Sequence, residues 1–156
     1  MGCRFFQNNY YYDVKGGNNT DTIRVREKNH KYYLQVKMRL EEKNSLHIKK
    51  EYEKIIYSIP DKISKTELQE LTGYTFNDVY LLGHLKTFRQ TCIFYEDIEI
   101  ALDKNEYRGK TDYELEIEFK NKYPYELVKL ITDCGIDVNR YSEGKFSRFM
   151  NSINSK

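Results

Sequence analysis

The sequence predicts a strand-rich α+β fold in which helices pack outside one sheet. Apolar and polar residues alternate with a period of two over several segments, as they do in strands that bury only one face. Helix-like spacing is confined to a few short stretches that are bounded by a capping residue or by glycine. With 156 residues, the chain has the length of a single domain with a proper core.

Strands dominate the first half of the chain. We predict an aromatic-rich strand over residues 5–13, a hairpin over 22–39 and a strand over 46–57. A helix is predicted over Ser64–Leu71, because Ser64 can cap its first turn and Gly73 can stop it. A second short helix is predicted over Phe76–Leu82, in front of Gly83.

Strands and helices both occur in the second half. Strands are predicted over residues 84–95, 96–103 and 113–119. A helix is expected to follow Pro124, which suits a first helical turn, and to end at Gly135. A last short helix is predicted over Lys145–Ile153.

The charges on the polar faces of these strands are sorted by sign. Arg24 and Arg26 share one face of a strand, because side chains alternate across it. Lys37 and Arg39 share one face of the next strand. The strand YELEIEFK instead carries three glutamates on one face: Glu114, Glu116 and Glu118. Without a cation, the crowded carboxylates of such a strand are expected to repel one another.

An antiparallel sheet with one charged face in water is the ordinary explanation for such strands. Mixed charges would then be expected along each strand, because like charges side by side are mildly destabilising. Sorted charges favour a polar face that holds a polyanion on one wall and metal ions on the other. Arginine forks match phosphate oxygens, and carboxylates without a His or Cys cluster favour Mg²⁺ or Mn²⁺.

Composition narrows the possible functions. The formal net charge is only +2, which gives no general argument for binding nucleic acid. No apolar run has the length of a membrane span, and no signal-peptide pattern opens the sequence. The three cysteines are odd in number and far apart, which favours a reducing cytoplasm over a disulfide framework. The histidines are isolated, and nothing suggests a Ser–His or Cys–His nucleophile.

The order of short motifs along the chain resembles that of the CYTH superfamily, the triphosphate tunnel metalloenzymes, which include thiamine triphosphatases and class IV adenylyl cyclases. The motifs are QNNYYYD (7–13), TIRVRE (22–27), YLQVKMR (33–39), KKEYEK (49–54), LGHLKTFR (82–89), ALD (101–103), YELEIE (113–118) and GKFSRF (144–149). No one motif is specific, but the ordered set covers nearly the whole chain and is closest to the small bacterial branch.

The resemblance implies a closed antiparallel barrel of eight strands around a charged tunnel. It implies that these residues bind the triphosphate: Arg24, Arg26, Lys37, Arg89, Lys145 and Arg148. It implies that these hold Mg²⁺ or Mn²⁺: Glu51, Glu53, Asp103, Glu114 and Glu116. Glu114, Glu116 and Lys37 are the expected catalytic residues.

One departure from the family pattern affects the expected barrel. The family carries a Glu-x-Glu-x-Lys strand and a helix ahead of the QNNYYYD position, whereas this sequence reaches Gln7 almost at once. We therefore expect a single CYTH-like domain over residues 1–156, shortened at its N-terminus. Either the start of the gene is misassigned, or the protein is a shortened relative with an incomplete barrel. An open barrel leaves an unpaired strand edge, which a second copy of the chain could cover.

Three functions remain open at this stage. The leading hypothesis is metal-dependent hydrolysis of a substrate that contains a triphosphate, in the cytoplasm. The first alternative is a non-catalytic module that binds polyphosphate or nucleotides, and the second is cyclisation of a nucleoside triphosphate as in class IV adenylyl cyclases. Nucleic acid and membrane are not expected partners, because aromatic and basic residues share no exposed motif and no span is present.

Overall fold

A computed structural model describes residues 2–16, 21–43, 46–138 and 142–155. The strands are β1 (Gly2–Asp13), β2 (Thr22–Lys28), β3 (Lys31–Lys43), β4 (Leu46–Ile56), β5 (Lys62–Ile63), β6 (Val79–Tyr95), β7 (Ile98–Tyr107) and β8 (Lys110–Phe119). The helices are α1 (Lys65–Thr72), α2 (Tyr125–Asp133) and α3 (Lys145–Asn154). Among the residues described, no helix has the length and apolar character that crossing a membrane requires.

All eight strands belong to one antiparallel sheet. Its order is β4-β3-β2-β1-β6-β7-β8, and β5 pairs with the beginning of β6. Within the described ranges the two edge strands, β4 and β8, do not pair with each other, so the sheet stays open. The α+β fold class is therefore confirmed, and the barrel is incomplete.

The β2–β3 hairpin follows from its turn residues. Asn29 and His30 have φ angles of 52° and 59°, so both central residues of the two-residue loop lie in the left-handed region. This is the geometry of a type I′ turn, whose twist matches that of the flanking strands, and asparagine tolerates it better than most residues. The tight turn fixes the register, with Arg24 opposite Gln35 and Arg26 opposite Tyr33.

The apolar faces of the first strands pack under α1. The outer core consists of Tyr12, Ile23, Val25, Leu34, Val36, Ile63, Leu68 and Val79, all at most 1% exposed. Leu68 belongs to α1, which Ser64 caps by accepting a hydrogen bond from the Glu67 amide, and which Gly73 ends in the left-handed conformation. Since side chains alternate along a strand, burying this face turns the charged residues towards the other one.

The helix α3 lies on that other, inner face of the sheet. Phe149 of α3 is buried with Tyr11, Leu85 and Tyr107, and the ring of Phe146 also contacts Tyr11 at a centroid distance of 5.3 Å. Only helices outside the sheet were expected from the sequence. Three residues separate Lys145 from Phe149, so both point from α3 towards the sheet, and this places a charged side chain inside.

The prediction of a helix over Phe76–Leu82 is wrong. Val79 begins β6, where it pairs with Ile63, and Leu81 pairs with Tyr12 of β1. A β-branched and an aromatic residue open this segment, and strands on both sides offer partners to its backbone. Gly83 does not stop a helix but lies within β6 beneath α3.

Candidate functional site

The inner face of the sheet carries two groups of charged side chains. The cationic wall consists of Arg24, Arg26, Lys37 and Lys49, on β2, β3 and β4. The acidic wall consists of Asp103, Glu114 and Glu116, on β7 and β8. The walls interact across the concave face, because the charges of Arg89 and Glu116 both influence the pKa of Arg26.

The arginines of the cationic wall make hydrogen bonds to neutral amides. Arg24 donates from Nε to Oε1 of Gln35 at 2.7 Å, and Arg26 donates from Nε to Oδ1 of Asn9 at 2.9 Å. Gln35 in turn donates to Glu53 at 2.5 Å. An amide oxygen satisfies one guanidinium N–H but does not cancel its charge. Among the described residues, neither arginine forms a direct ion pair with a carboxylate, so both are held in place by neutral partners.

Burial and repulsion between neighbouring cations lower the pKa values of several residues of the cationic wall. Burial, together with the charges of Arg24 and Arg89, lowers the pKa of Arg26 to about 9. Burial and the charge of Arg24 lower the pKa of Lys37 to about 8, although Lys37 forms a 2.9 Å ion pair with Glu51. Burial and Arg24 also lower the pKa of Lys49. This wall has more positive charge than its surroundings balance, which is what an anion site requires.

Cationic side chains of the same protein neutralise the carboxylates of the acidic wall. Arg89 makes a two-pronged contact with Asp103, with both N–O distances at 2.7 Å, and the same guanidinium reaches Glu116 at 2.7 Å. The ammonium of Lys145 lies among all three carboxylates, 2.9 Å from Asp103, 2.8 Å from Glu114 and in contact with Glu116. Arg148 pairs with Glu114 at 2.9 Å and with Asp112 at 3.1 Å.

These contacts keep Glu116 and Lys145 charged despite their burial. Burial raises the pKa of Glu116, but the nearby charges of Lys145 and Arg89 outweigh it and hold this pKa well below its usual value. Burial likewise lowers the pKa of Lys145, but Glu116, Glu114 and Asp103 together raise it. The crowded carboxylates thus do not repel one another as the sequence alone suggested, since α3 and β6 supply the missing cations.

The carboxylates of the acidic wall fit a hard divalent cation. One oxygen from each of Asp103, Glu114 and Glu116 can be chosen so that all three lie within 4.8 Å of one another. Carboxylate oxygens are the ligands that Mg²⁺ and Mn²⁺ prefer. The contact of one ammonium with all three shows that a positive charge is accommodated at this point.

The structure brings most of the expected site residues to the inner face but divides them differently. Arg24, Arg26 and Lys37 lie on the cationic wall. Arg89, Lys145 and Arg148, also expected to bind phosphate, instead contact the acidic wall.

Of the five expected metal ligands, Asp103, Glu114 and Glu116 form one group. Glu51 and Glu53 lie on β4, where the first pairs with Lys37 and the second accepts from Gln35.

Several inner-face residues were not assigned a role from the sequence. Lys49 alternates with Glu51 on β4, and this spacing places the two on one face of the strand. Gln7, Asn9 and Tyr11 alternate on β1 and are at most 2% exposed. The alternation of Gln7, Asn9 and Tyr11 in QNNYYYD indicates that they share a face of β1. Because tyrosines occupy both faces of the strand, the sequence does not show which face is the inner one.

Comparisons with known proteins agree with this architecture. The family model described as CYTH domain matches residues 2–132. No curated protein sequence matches the chain. The fold is similar to that of a candidate adenylyl cyclase from Hippeastrum described as revealing a dominant triphosphatase activity, with 20% identity, a TM-score of 0.71, and coverage of 96% of this chain and 83% of that one.

Two further solved structures share the fold. A candidate adenylate cyclase from Bacillus halodurans is 19% identical, with a TM-score of 0.63 and coverage of 94% of this chain and 82% of that one. A protein from Pyrococcus horikoshii is 18% identical, with a TM-score of 0.60 and coverage of 97% and 86%. The family match spans far more than half of the sequence, and the chain therefore belongs to the CYTH domain family.

Proposed function

We propose that the protein binds a small molecule that carries a triphosphate between its two walls, and that it hydrolyses this substrate with the help of Mg²⁺ or Mn²⁺. The observation that carries the proposal is the cationic wall. Its two arginines are positioned by amide oxygens and not by carboxylates, so their charge is available to an anion. A phosphate chain, with several charged oxygens in a row, suits a wall that spans three strands.

Residues of the cationic wall would neutralise and orient the phosphate chain. Arg24 and Arg26 each use Nε to hold an amide, which leaves the terminal N–H groups of the guanidinium to bind phosphate oxygens. Lys37 would contribute a point charge beside them. Such positioning and charge stabilisation account for most of the catalysis in phosphoryl transfer, so no covalent nucleophile is needed.

Asp103, Glu114 and Glu116 would hold the divalent cation. When bound, the ion would supply Lewis-acid polarisation of phosphate oxygens and activation of water. The protein's own part at this wall is to hold the three carboxylates close together, as Arg89 and Lys145 do. Glu116 would be the most sensitive of the three, because it contacts both of these cations.

The proposal is tested by phosphate release from tripolyphosphate with Mg²⁺ or Mn²⁺ and with a chelator. Glu116→Gln keeps the size of the side chain but removes a charged ligand, so it should abolish most of the metal-dependent activity while the protein remains folded. Glu106→Gln is the matched control, because Glu106 lies in an exposed pair with Lys104. Hydrolysis that is unchanged in the Glu116 variant, or that persists in chelator, would refute the metal-site assignment.

A non-catalytic binding module is the second candidate, and one observation favours it. The carboxylates of the acidic wall already have Arg89 and Lys145 as counter-ions. A metal would have to compete with a buried ammonium. Tight binding of tripolyphosphate without phosphate release under any metal condition would support this alternative. Cyclisation is separated from both by analysing products from a nucleoside triphosphate, because a cyclase releases pyrophosphate with a cyclic nucleotide.

A further inference from the structure

Three polar side chains of β1 are buried on the inner face, next to the arginines of the cationic wall. Gln7 is 2% exposed, and Asn9 and Tyr11 are 0% exposed. Each carries a buried donor that has no acceptor among the described residues: Nε2 of Gln7, Nδ2 of Asn9 and the hydroxyl of Tyr11, whose oxygen Arg24 approaches as a donor. Buried polar groups are nearly always paired in native proteins, so three in alternation on one strand require a cause.

The orientation of the Asn9 amide follows from its neighbour. Oδ1 of Asn9 accepts the hydrogen bond from Nε of Arg26. A guanidinium can only donate, so the carbonyl end of the amide must face Arg26 and the NH₂ end must point elsewhere. The group left without a partner at Asn9 is therefore a donor, and it is held in position by an arginine of the site.

The hydroxyl of Tyr11 is surrounded by cations. Burial raises its pKa, while the charges of Arg24, Lys145 and Arg26 act in the opposite direction, and Tyr11 stays protonated at neutral pH. Arginine and lysine have no acceptor atoms. Any contact with them uses the oxygen of Tyr11, so the hydrogen of the hydroxyl still lacks an acceptor. No described side chain accepts this hydrogen, whereas an anion held by those same cations can.

We propose that Gln7, Asn9 and Tyr11 form a row of uncharged donors that binds the non-bridging oxygens of the phosphate chain between the two walls. This inference rests on the proposed function and adds binding and positioning residues to it. Phosphate oxygens accept hydrogen bonds and do not donate them, and they are attracted to the cations around Tyr11 and Asn9. The row lies on β1, the central strand between the cationic wall and β6.

The decisive variant is Tyr11→Phe, which removes a single oxygen. Its affinity for tripolyphosphate, measured by calorimetry on the full chain, should fall about 10- to 150-fold, as expected for losing a hydrogen bond to a charged acceptor. The free protein should be as stable as the wild type or more stable in urea, because an unpartnered buried hydroxyl is removed. If Tyr11 had only a structural role, Tyr11→Phe would lower the stability of the free protein and leave the affinity for tripolyphosphate unchanged.

The neighbouring tyrosine is the matched control. The hydroxyl of Tyr12 donates to the carbonyl of Pro60 at 2.6 Å, on the outer face of the sheet. Tyr12→Phe should therefore lower stability and leave the affinity for tripolyphosphate unchanged. Gln7→Met removes a second donor at similar size and should repeat the result of Tyr11→Phe.

The dependence on salt gives a readout that loss of structure would not produce. Because the row is uncharged, Tyr11→Phe should weaken binding by the same factor at low and high salt, whereas Arg26→Ala should also flatten the salt dependence. If the wild type binds tripolyphosphate and both Tyr11→Phe and Gln7→Met bind equally well, or bind less well only in proportion to lost stability, the donor row is refuted alone. If the wild type does not bind tripolyphosphate, the proposed function fails and the donor row fails with it.

Discussion

The two walls of the inner face carry charge of opposite sign, and they also differ in how that charge is paired. On the cationic wall, Arg24 and Arg26 contact amide oxygens. On the acidic wall, every carboxylate contacts at least one cation, and Lys145 contacts all three. The difference separates two arginines that have neutral hydrogen-bond partners from carboxylates that are directly paired with cations.

This contrast shows that sorted charges on strands do not by themselves say where a ligand binds. Both walls look alike in the sequence, as like charges on alternate residues. The nearest partners of Arg24 and Arg26 are neutral amides, and burial together with the neighbouring cations lowers the pKa values of Arg26 and Lys37. The acidic wall is a network of direct ion pairs, so a metal bound there would have to displace or share that network.

The largest effect is expected from breaking the balance of the acidic wall. Lys145→Met leaves three carboxylates without their shared ammonium, and breaking a buried ion pair in this way costs roughly 3–5 kcal/mol of unfolding free energy. The loss should appear in urea denaturation with chelator present. Mn²⁺ or Mg²⁺ should restore more stability to the variant than to the wild type, because the ion no longer competes with Lys145.

Lys129→Met on the exposed surface of α2 provides the control for Lys145→Met. It removes the same charge and adds the same side chain, and it should change stability by less than about 0.5 kcal/mol. Equal stability of the two variants in chelator would show that Lys145 does not neutralise the carboxylates.

A smaller effect, on binding only, is expected at the cationic wall. Arg26→Ala should weaken the binding of tripolyphosphate by roughly 1.5–3 kcal/mol, which is typical of hydrogen bonds to charged groups. Lys31→Ala removes a charge from the exposed end of the β2–β3 turn and should change affinity little. Calorimetric titrations that give the two variants the same affinity would place Arg26 outside the ligand site.

A change of pH should alter the affinity for tripolyphosphate less than Arg26→Ala does. The pKa of Lys37 is about 8, so its charge is lost as pH rises through 8, and a bound phosphate chain should raise this pKa. Between pH 7 and 9 the affinity for tripolyphosphate should fall about fivefold, or ~1 kcal/mol, and protons should be taken up on binding. Calorimetry in buffers of different ionisation enthalpy measures the uptake.

Lys37→Gln separates the titration of Lys37 from that of the ligand, since the variant should lose the part of the proton uptake that belongs to Lys37.

The lowered pKa of Lys37 also affects the stability of the free protein. Lys37 holds its proton more weakly when folded than when unfolded, where the pKa is near 10.5, so its contribution to stability improves as pH rises from 8 to 10.5. Binding and stability should thus respond to pH in opposite directions.

Sequence patterns predicted those elements of the fold that depend on residues close together in the chain. The β2–β3 hairpin, the strand around Glu116 and the caps of α1 at Ser64 and Gly73 were all evident in the sequence. The start of β6 was missed because Val79 finds partners on β5 and β1 that are distant in the chain.

The balance of the acidic wall could not be predicted for the same reason. Lys145 is 29 residues from Glu116, and only the packing of α3 brings the two together. Its charge therefore could not be assigned to the carboxylates from any spacing in the sequence.

A single missing methyl group controls how closely α3 approaches the sheet. Gly83 of β6 lies opposite Tyr11, and a Cβ at this position would lie 3.0 Å from Cζ of Phe149. Any larger residue would push Phe149 outwards by a few tenths of an ångström, and Lys145 lies one helical turn away on the same rigid helix. A substitution on a strand, with no change of charge, would thereby shift the ammonium of Lys145 relative to the carboxylates, in addition to straining the backbone at a φ of 153°.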